Sequence, residues 1–271
     1  MASQTMTAEQ RRGRLLEMVR QHGFASLPDL ADALSVSEST VRRDLDSLEQ
    51  NGAAKRTHGG AFYTGPSPKL PHFDFRQQAE WDKKKAIARR AAELVEDGET
   101  LLLDGGSTTY ELARLLVTRP LQVVTTSLPV ANLFMTSVTA DLVLVGGYVH
   151  SRTGVVVGPY AEQMLDSLNV RKAFLSVAAV SPRGCFNSNL LLVETERAMM
   201  RVADEVIVLA DSTKFGHQSL AHLCDLSAVG HMVVDDCLSQ QWLERLDAAG
   251  VDVTIAANGV CSNKKNVQQN H

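Results

Sequence analysis

The sequence has no apolar run long enough to cross a membrane. A spanning helix needs about 20 predominantly apolar residues, and no apolar run in this chain approaches that length. The start, Met1-Ala2-Ser3-Gln4-Thr5, also lacks the apolar core of a signal peptide. We therefore expect a cytoplasmic protein with no membrane partner.

Cysteine and histidine are present without a metal-binding pattern. The 4 cysteines show neither the CxxC pairs of zinc sites nor the spacing of a disulfide framework, and the 8 histidines are scattered. Glycine-rich nucleotide motifs are missing too, since the chain has neither GxGxxG nor a Walker loop. We expect no metal, no cofactor and no dinucleotide or NTP site.

The chain also lacks an excess of positive charge. It carries 27 Lys/Arg against 31 Asp/Glu, a net charge of −4, and residues 1–65 contain eight of each kind. Attraction to DNA would have to come from local clusters such as Arg42-Arg43 and Lys55-Arg56. Few phosphate contacts give modest nonspecific affinity, so we expect a homodimer or homotetramer, assembled through residues beyond about 80.

The most informative segment present runs from Ser37 to Leu45. Ser37 is suited to cap a helix, and Val36 and Val41 then occupy the positions of a hydrophobic staple. Val41, Leu45 and Leu48 recur at i, i+4 and i+7, which makes one apolar stripe. The segment therefore predicts an amphipathic helix with a fixed start.

The opposite face of this helix is polar and basic, with Ser39 and Arg43 facing away from the stripe and Thr40 and Arg42 beside them. Arg43 is best placed to enter a groove of DNA, whereas Asp44 is expected to pair within the domain. An Arg pair alone is more often a solvated face, and Ser or Thr near a helix start is more often a cap. The neighbouring elements decide between these readings.

These elements occur in the order of a winged helix-turn-helix. A helix from Glu9 to Gln21 and a short helix starting near Ser26 precede the Ser37 helix, and residues 52–62 predict a β-hairpin. In a helix-turn-helix the second helix enters the major groove. We assign DNA contacts to Ser37, Ser39, Thr40, Arg42, Arg43, Lys55, Arg56 and His58.

The remaining sequence predicts a larger α/β domain. Residues 8–63 form the DNA-binding domain, the Pro- and Gly-interrupted residues 64–79 the linker, residues 80–257 the α/β domain, and the polar residues 258–271 a disordered tail. Short, uniformly apolar strands that alternate with helices favour a mostly parallel sheet. The expected strands are 100–104, 121–125, 141–145, 173–179, 205–210, 231–234 and 251–255.

Polar loops follow several of these strands, where ligands gather in parallel sheets. Asp104-Gly105-Gly106-Ser107-Thr108-Thr109 opens a helix and suits a phosphate, because glycines allow close approach and a helix N-terminus offers free N–H groups. The other loops are Thr125-Thr126-Ser127, Gly146-Gly147, and Asp211 to Gly216 with Lys214. Hydroxyls and one fixed cation suit a phosphorylated polyol, although each loop alone is equally consistent with a simple turn.

The run Ser37-x-x-Thr40-Val41-Arg42-Arg43-Asp44-Leu45 and the run from Arg56 to Gly60 closely resemble the DeoR family of bacterial transcriptional regulators, over about residues 8–257. The resemblance implies a C-terminal domain similar in fold to pentose-phosphate isomerases and CoA transferases that senses a sugar phosphate. It adds Lys84 and Glu194 to the effector-site residues and supports those of the strand-end loops. One segment departs from the family: Phe174 to Ala179 has Ala178-Ala179 where many members have Asp-Gly.

Three hypotheses follow. The first is a transcriptional regulator, most simply a repressor of carbohydrate-metabolism genes and less often an activator, whose affinity for double-stranded operator DNA depends on a bound sugar phosphate. The second is an isomerase-like enzyme with an added DNA-binding module. The missing Asp-Gly disfavours an enzyme, as does the small number of candidate acid–base groups, so we assign no catalytic residue. The third is an α/β domain that only oligomerises the chain.

Overall fold

The computed structural model describes residues 6–22, 24–50, 54–57, 60–63, 73–151 and 153–257. His58, residues 64–72 of the predicted linker and the predicted tail 258–271 lie outside the described residues. The chain divides into two units, residues 1–71 and 72–271. Among the described helices, none is both long enough and apolar enough to cross a membrane.

The N-terminal unit contains three helices and a small antiparallel sheet. Its elements are α1 (Ala8–His22), β1 (Phe24–Ser26), α2 (Leu27–Leu34), α3 (Glu38–Gln50), β2 (Ala54–Thr57) and β3 (Gly60–Tyr63). The strands pair in the order β1-β3-β2. Leu15, Leu30, Val41 and Leu45 are fully buried and join the three helices in one core. The predicted winged helix-turn-helix is confirmed, and β1 is an addition that the sequence did not indicate.

The C-terminal unit is built on a parallel sheet. Its helices are α4 (Phe73–Gln78), α5 (Trp81–Ala92), α6 (Ser107–Leu116), α7 (Leu128–Phe134), α8 (Pro159–Leu165), α9 (Leu190–Arg201) and α10 (Gln240–Ala248). Its strands are β4 (Thr100–Leu103), β5 (Gln122–Thr125), β6 (Asp141–Leu144), β7 (Tyr148–His150), β8 (Val155–Val157), β9 (Val170–Ser176), β10 (Ala179–Ser181), β11 (Gly184–Asn187), β12 (Ala203–Ala210), β13 (Ala221–Cys224), β14 (His231–Asp235) and β15 (Asp252–Ala256).

Seven strands form the main sheet in the order β15-β14-β12-β9-β4-β5-β6, all parallel. Alternate residues of each strand enter opposite cores, as the strand period of two requires. In β9, for example, Phe174 packs with α5 and α6, whereas Leu175 packs with α8 and α9. Helices therefore cover both faces, and the predicted α/β fold with a mostly parallel sheet is confirmed.

Two predicted boundaries need correction. The strand expected at 173–179 is β9, which ends at Ser176, because the Ala178 amide already bonds to Phe186 in the small antiparallel sheet β10-β11-β13. The segment expected as linker, 64–79, contains α4 in its second half. The α4 helix is stabilised by packing on α6 through the Phe73 and Tyr110 rings, 5.1 Å apart. Such tertiary contacts are not visible in a local sequence pattern.

Candidate functional site

The start of α3 has the predicted cap. The Thr40 amide donates to the Ser37 hydroxyl at 3.3 Å, and the same hydroxyl lies 2.9 Å from that of Ser39. Val36 and Val41 both pack into the N-terminal core, as a hydrophobic staple requires. The orientation of α3 is therefore set by its first residues.

The outer face of α3 presents its polar side chains to solvent. Arg42 and Arg43 are both exposed. Arg42 pairs with Glu38 at 3.0 Å, whereas Arg43 makes no hydrogen bond or ion pair within the described residues. Asp44 is buried and pairs with Arg11 of α1 at 2.5 Å, as expected. The Arg11 pair removes a carboxylate from the surface that would repel phosphate and leaves Arg43 available to DNA.

The predicted wing is present in the backbone. The strands β2 and β3 pair antiparallel, with Arg56 opposite Ala61 and Thr57 opposite Gly60. Lys55 and Arg56 lie in β2, and their assignment as DNA contacts stays a prediction, as does that of His58.

The second candidate site lies at the carboxyl edge of the parallel sheet. The strands β14, β12, β9, β4 and β5 end there side by side, because parallel strands place their carboxyl ends at one edge. The residues at these ends are Asp235, Asp211, Ser176, Asp104 and Thr126. The sheet order thus brings together three of the loops that the sequence indicated.

Asp104 organises the loop between β4 and α6. Its carboxylate accepts hydrogen bonds from the amides of Gly105, of Gly106 at 3.2 Å and of Ser176 at 3.0 Å. Burial raises the pKa of the Asp104 carboxyl, against the opposing effect of these bonds and of the Arg76 charge. These bonds engage both oxygens of Asp104, so its carboxylate fixes the loop conformation and links the end of β4 to the end of β9.

The two glycines of this loop are required by close packing. A Cβ on Gly105 would lie 2.2 Å from Cγ2 of Val155, and one on Gly106 would lie 2.2 Å from the Cβ and Oγ of Ser176. No larger residue fits without moving the loop. The backbone is therefore held close to both neighbours at the start of α6.

The hydroxyls near this loop divide into two groups. Thr109 donates to the Gly106 carbonyl at 2.9 Å and Thr125 to the Leu103 carbonyl at 2.6 Å, while Ser127 caps α7, so these three support the structure. Within the described residues, the hydroxyls of Ser107 and Thr108 make no hydrogen bond, and that of Thr126 is buried without a partner. The second group is available to a ligand.

The loop after β12 adds a carboxylate, Asp211, and an ammonium, Lys214. One Asp211 oxygen accepts from the Thr213 amide at 3.0 Å, and the other, Oδ2, is buried with no hydrogen-bond partner among the described residues. Lys214 is half-buried, and its ammonium makes no hydrogen bond or ion pair in the described part of the chain. An unpaired buried oxygen and an unpaired cation are groups that a ligand can satisfy.

Lys84 of α5 is buried. Its ammonium donates to the backbone carbonyls of Arg76 and Ala79, at the end of α4. The pKa of Lys84 is lowered to about 8, chiefly by burial and also by the charges of Lys214 and Arg76, against the attraction of Asp211. An ammonium has three donors, so one remains after the two carbonyls.

Arg76 was missed by the sequence reading, which placed it in the linker. Its Nε and Nη2 are buried and have no hydrogen-bond partner among the described residues, and the guanidinium lies 5.6 Å from the centre of the Phe73 ring. Burial lowers its pKa, against the nearby Asp104 charge. A signal was present: no Pro or Gly occurs between Pro71 and Gly98, so residues 73–79 were compatible with a helix.

The carboxylate of α9 in this region is Glu196 rather than Glu194. Glu194 is exposed and pairs with Arg197 at 2.8 Å. Glu196 is buried and accepts from Asn187 at 2.6 Å through Oε1, while Oε2 has no hydrogen-bond partner within the described ranges. Burial and, secondarily, the charge of Asp104 raise the pKa of Glu196 well above its ordinary value. The helical period could have found it, since Glu196 follows the apolar Leu192 and Val193 at i+4 and i+3.

Two other features also follow strands at this edge of the sheet. Gly146-Gly147 follow β6, the last strand of the sheet, and both are exposed. Asp235, Asp236 and Cys237 are the described residues close enough to share a metal ion, within 4.8 Å. Asp235, however, already accepts from the Ser212 amide and hydroxyl and from the Cys237 amide. The Asp235 carboxylate thus links the loop after β12 to the loop after β14. The expectation that the chain binds no metal stays a prediction.

Comparison with known families covers both units. The family described as the DeoR C terminal sensor domain matches residues 79–236, and the DeoR-like helix-turn-helix domain matches residues 11–65. The chain belongs to the DeoR family. It is therefore a DNA-binding transcriptional regulator with a sensor domain, and the prediction that it is not an enzyme is confirmed by relatives that are named as regulators.

Two DeoR-family relatives align over nearly the whole chain. An uncharacterized HTH-type transcriptional regulator of Bacillus subtilis, YulB, is 30% identical over 92% of this chain and 97% of its own length. A putative aga operon transcriptional repressor of Escherichia coli O157:H7 is 33% identical over 93% of this chain and 94% of its own. Ribose 5-phosphate isomerase A of Methanocaldococcus jannaschii is 22% identical, with a TM-score of 0.36 over 51% of this chain and 55% of its own.

Proposed function

We propose that this DeoR-family regulator is a repressor of carbohydrate-metabolism genes that responds to a phosphorylated sugar. The effector would bind at the carboxyl edge of the sensor sheet, against the start of α6. The repressor role is supported by the aga operon relative, which is named as one. The nature of the effector is supported by the site itself.

The observation that carries the proposal is a group of cations whose hydrogen-bond donors are not all paired. The charges of Lys214 and Arg76 lower the pKa of Lys84, whereas those of Asp211 and Glu80 raise it. Within the described residues, the Lys214 ammonium and Nε and Nη2 of Arg76 have no hydrogen-bond partner, and Asp104, whose charge acts on Arg76, has its oxygens engaged by backbone amides. A phosphate placed among the three cations would relieve their repulsion and meet the free N–H groups at the start of α6.

The remaining unpaired groups suit the hydroxyls of a sugar. Oδ2 of Asp211 can accept a hydrogen bond, the Thr126 hydroxyl can donate or accept, and Glu196, when protonated, can donate. A polyol offers donors and acceptors in equal number. The phosphate and the hydroxyls would thus be recognised by different parts of one site.

The chain would act in the bacterial cytoplasm, where its operator lies, and as a homodimer or homotetramer. The neutral charge of residues 1–65 supports assembly, because one DNA-binding domain with few phosphate contacts binds weakly.

The experiment is a thermal melt with a panel of pentose and hexose phosphates, with the unphosphorylated sugars as controls. A ligand at 100 times its Kd stabilises the protein by about 2.7 kcal/mol, a shift in Tm of roughly 5–10 °C. We expect such a shift with phosphorylated compounds only, and no change in the compound afterwards. Turnover would favour the enzyme hypothesis, and no shift with any phosphate would contradict the proposal.

A further inference from the structure

The helix α4 is the first described element after the N-terminal unit, and residues 64–72 separate it from β3. Three contacts hold it to its own unit. The Phe73 ring packs edge-on against Tyr110 of α6, Gln77 donates to Glu111 of α6 at 3.4 Å, and Lys84 donates to the Arg76 carbonyl. A helix of six residues is not stable alone, so its position depends on such contacts.

The buried donors of the Arg76 side chain take no part in these three contacts. In the part of the chain that the structure describes, Nε and Nη2 have no hydrogen-bond partner, although a buried guanidinium normally has its donors paired. The neighbouring carboxylate, Asp104, accepts from three backbone amides instead. Leaving charged donors unpaired destabilises a folded protein, which points to a ligand rather than to a structural role.

We propose that Arg76 binds the anionic group of the effector and thereby makes the position of α4 depend on the ligand. This inference rests on the proposed function. It adds a physical connection between ligand binding in the sensor and α4, which lies in the segment predicted as linker. Nε and Nη2 lie on one side of the guanidinium and can donate together to two oxygens of a phosphate.

The regulatory consequence follows from where α4 lies in the chain. With a ligand bound, Nε and Nη2 of Arg76 gain the hydrogen-bond acceptor that they lack within the described residues, so the ligand favours the position of α4 in which that contact is made. A ligand shifts an equilibrium only through such differential contacts. Because α4 is the first described element of the sensor unit, the ligand would act on the part of that unit nearest in sequence to the DNA-binding unit.

The first test compares Arg76→Met with Arg171→Met. Arg171 is the control, because it lies at the amino end of β9, at the opposite edge of the sheet, and its exposed side chain pairs with Asp204. With inorganic phosphate as the probe, we expect Arg76→Met to raise the Kd at least tenfold and Arg171→Met to leave it unchanged. The melting temperature without phosphate should stay equal or rise in Arg76→Met, since an unpaired buried charge is removed.

These readouts separate a ligand-binding role from a structural one. A fall in the melting temperature of ligand-free Arg76→Met, or an unchanged Kd, would overturn the inference. Arg76→Lys keeps the charge without the paired donors, so it should restore part of the affinity. No recovery in Arg76→Lys would overturn the role of the charge.

The second test measures coupling in the full-length protein. The probe is the sugar phosphate of the panel that shifts the wild-type Tm most, raised until Arg76→Met is saturated. We expect saturated Arg76→Met to keep its operator, although the wild type releases it. Full release by the saturated variant would overturn the coupling role. If no sugar phosphate shifts the Tm of the wild type, the proposed function is refuted, and this inference with it. If the Tm of the wild type and of Arg76→Met shift equally, this inference alone is refuted.

Discussion

Arg43 is the residue on which sequence-specific DNA binding is expected to depend most. It is exposed on α3 and makes no hydrogen bond or ion pair within the described residues, whereas Arg42 is paired with Glu38. Loss of a base contact costs about 1–3 kcal/mol of discrimination. In a fluorescence anisotropy titration, Arg43→Ala should weaken operator binding more than random-DNA binding, and Arg42→Ala should weaken both alike. Equal losses in Arg43→Ala would make it a phosphate contact instead.

Lys84 gives the sensor a dependence on pH. Its pKa of about 8 lies below the ordinary 10.5, so between these values the folded chain binds fewer protons than the unfolded chain and the free energy of unfolding rises with pH. Effector affinity should instead fall as the pH rises, because the phosphate binds to Lys84 in its charged ammonium form.

We therefore expect effector affinity to fall above pH 8, by up to about tenfold per pH unit. The second phosphate pKa is near 6, so the ligand itself stays a dianion over this range. Calorimetric titration from pH 7 to 9.5 measures the effect, and Lys84→Arg, which does not titrate there, should remove it. A flat wild-type profile would show that Lys84 does not contact the anion.

At the scale of elements, the loop from β4 to α6 is the rigid part of the site. Gly106→Ala would place a Cβ 2.2 Å from Ser176, so the loop and the first amides of α6 must move. We expect effector affinity to fall by on the order of tenfold, about 1.4 kcal/mol. The double variant Gly106→Ala/Ser176→Gly lacks the Ser176 side chain that the added Cβ would meet, so it should recover most of the lost effector affinity. The single variant Ser176→Gly is the control. No recovery would mean that Gly106 is needed for another reason.

The elements also show how far the sequence predicts this fold. The seven parallel strands were predicted because burial on both faces leaves a continuous apolar run, as in Leu101 to Leu103. The strands of the small sheets, such as β10, have three or four residues each and owe their structure to their neighbours. The helix α4 was read as linker, since the prolines before it dominated the local pattern.

The candidate site was predictable to a similar extent. Strand-end loops were found from their position alone, which located Asp104 and Asp211. Arg76 and Glu196 were not found, because their importance comes from burial without a partner, and burial is decided by the packing of other elements. Sequence pattern thus locates the site, and the structure identifies the unsatisfied groups in it.

At the scale of the whole molecule, we expect the neutral DNA-binding domain to bind DNA together with a partner copy, because few phosphate contacts give weak binding. Light scattering should give a dimer or a tetramer, and the operator should contain half-sites roughly 34–36 Å apart, or a multiple of that distance. A truncated chain starting near residue 80 should keep the same oligomeric state. A protein that is monomeric in solution and binds each operator as a single copy would contradict this expectation.

The response to the effector should be separable from DNA binding. Lys214 lies in the sensor unit and has an ammonium without a partner among the described residues. Lys214→Ala should therefore weaken effector binding by several-fold and leave the operator affinity of the ligand-free protein unchanged, as an electrophoretic mobility assay would measure. Weaker operator binding without effector would show that Lys214 also supports the fold.

The central claim is that the ligand of the sensor controls operator binding, and linkage tests it most directly. The measurement is the Kd of the effector for the free protein and for the protein saturated with operator. If the effector lowers operator affinity by some factor, operator must lower effector affinity by the same factor. We predict a larger effector Kd in the presence of operator. Equal Kd values, with effector bound in both cases, would contradict the account.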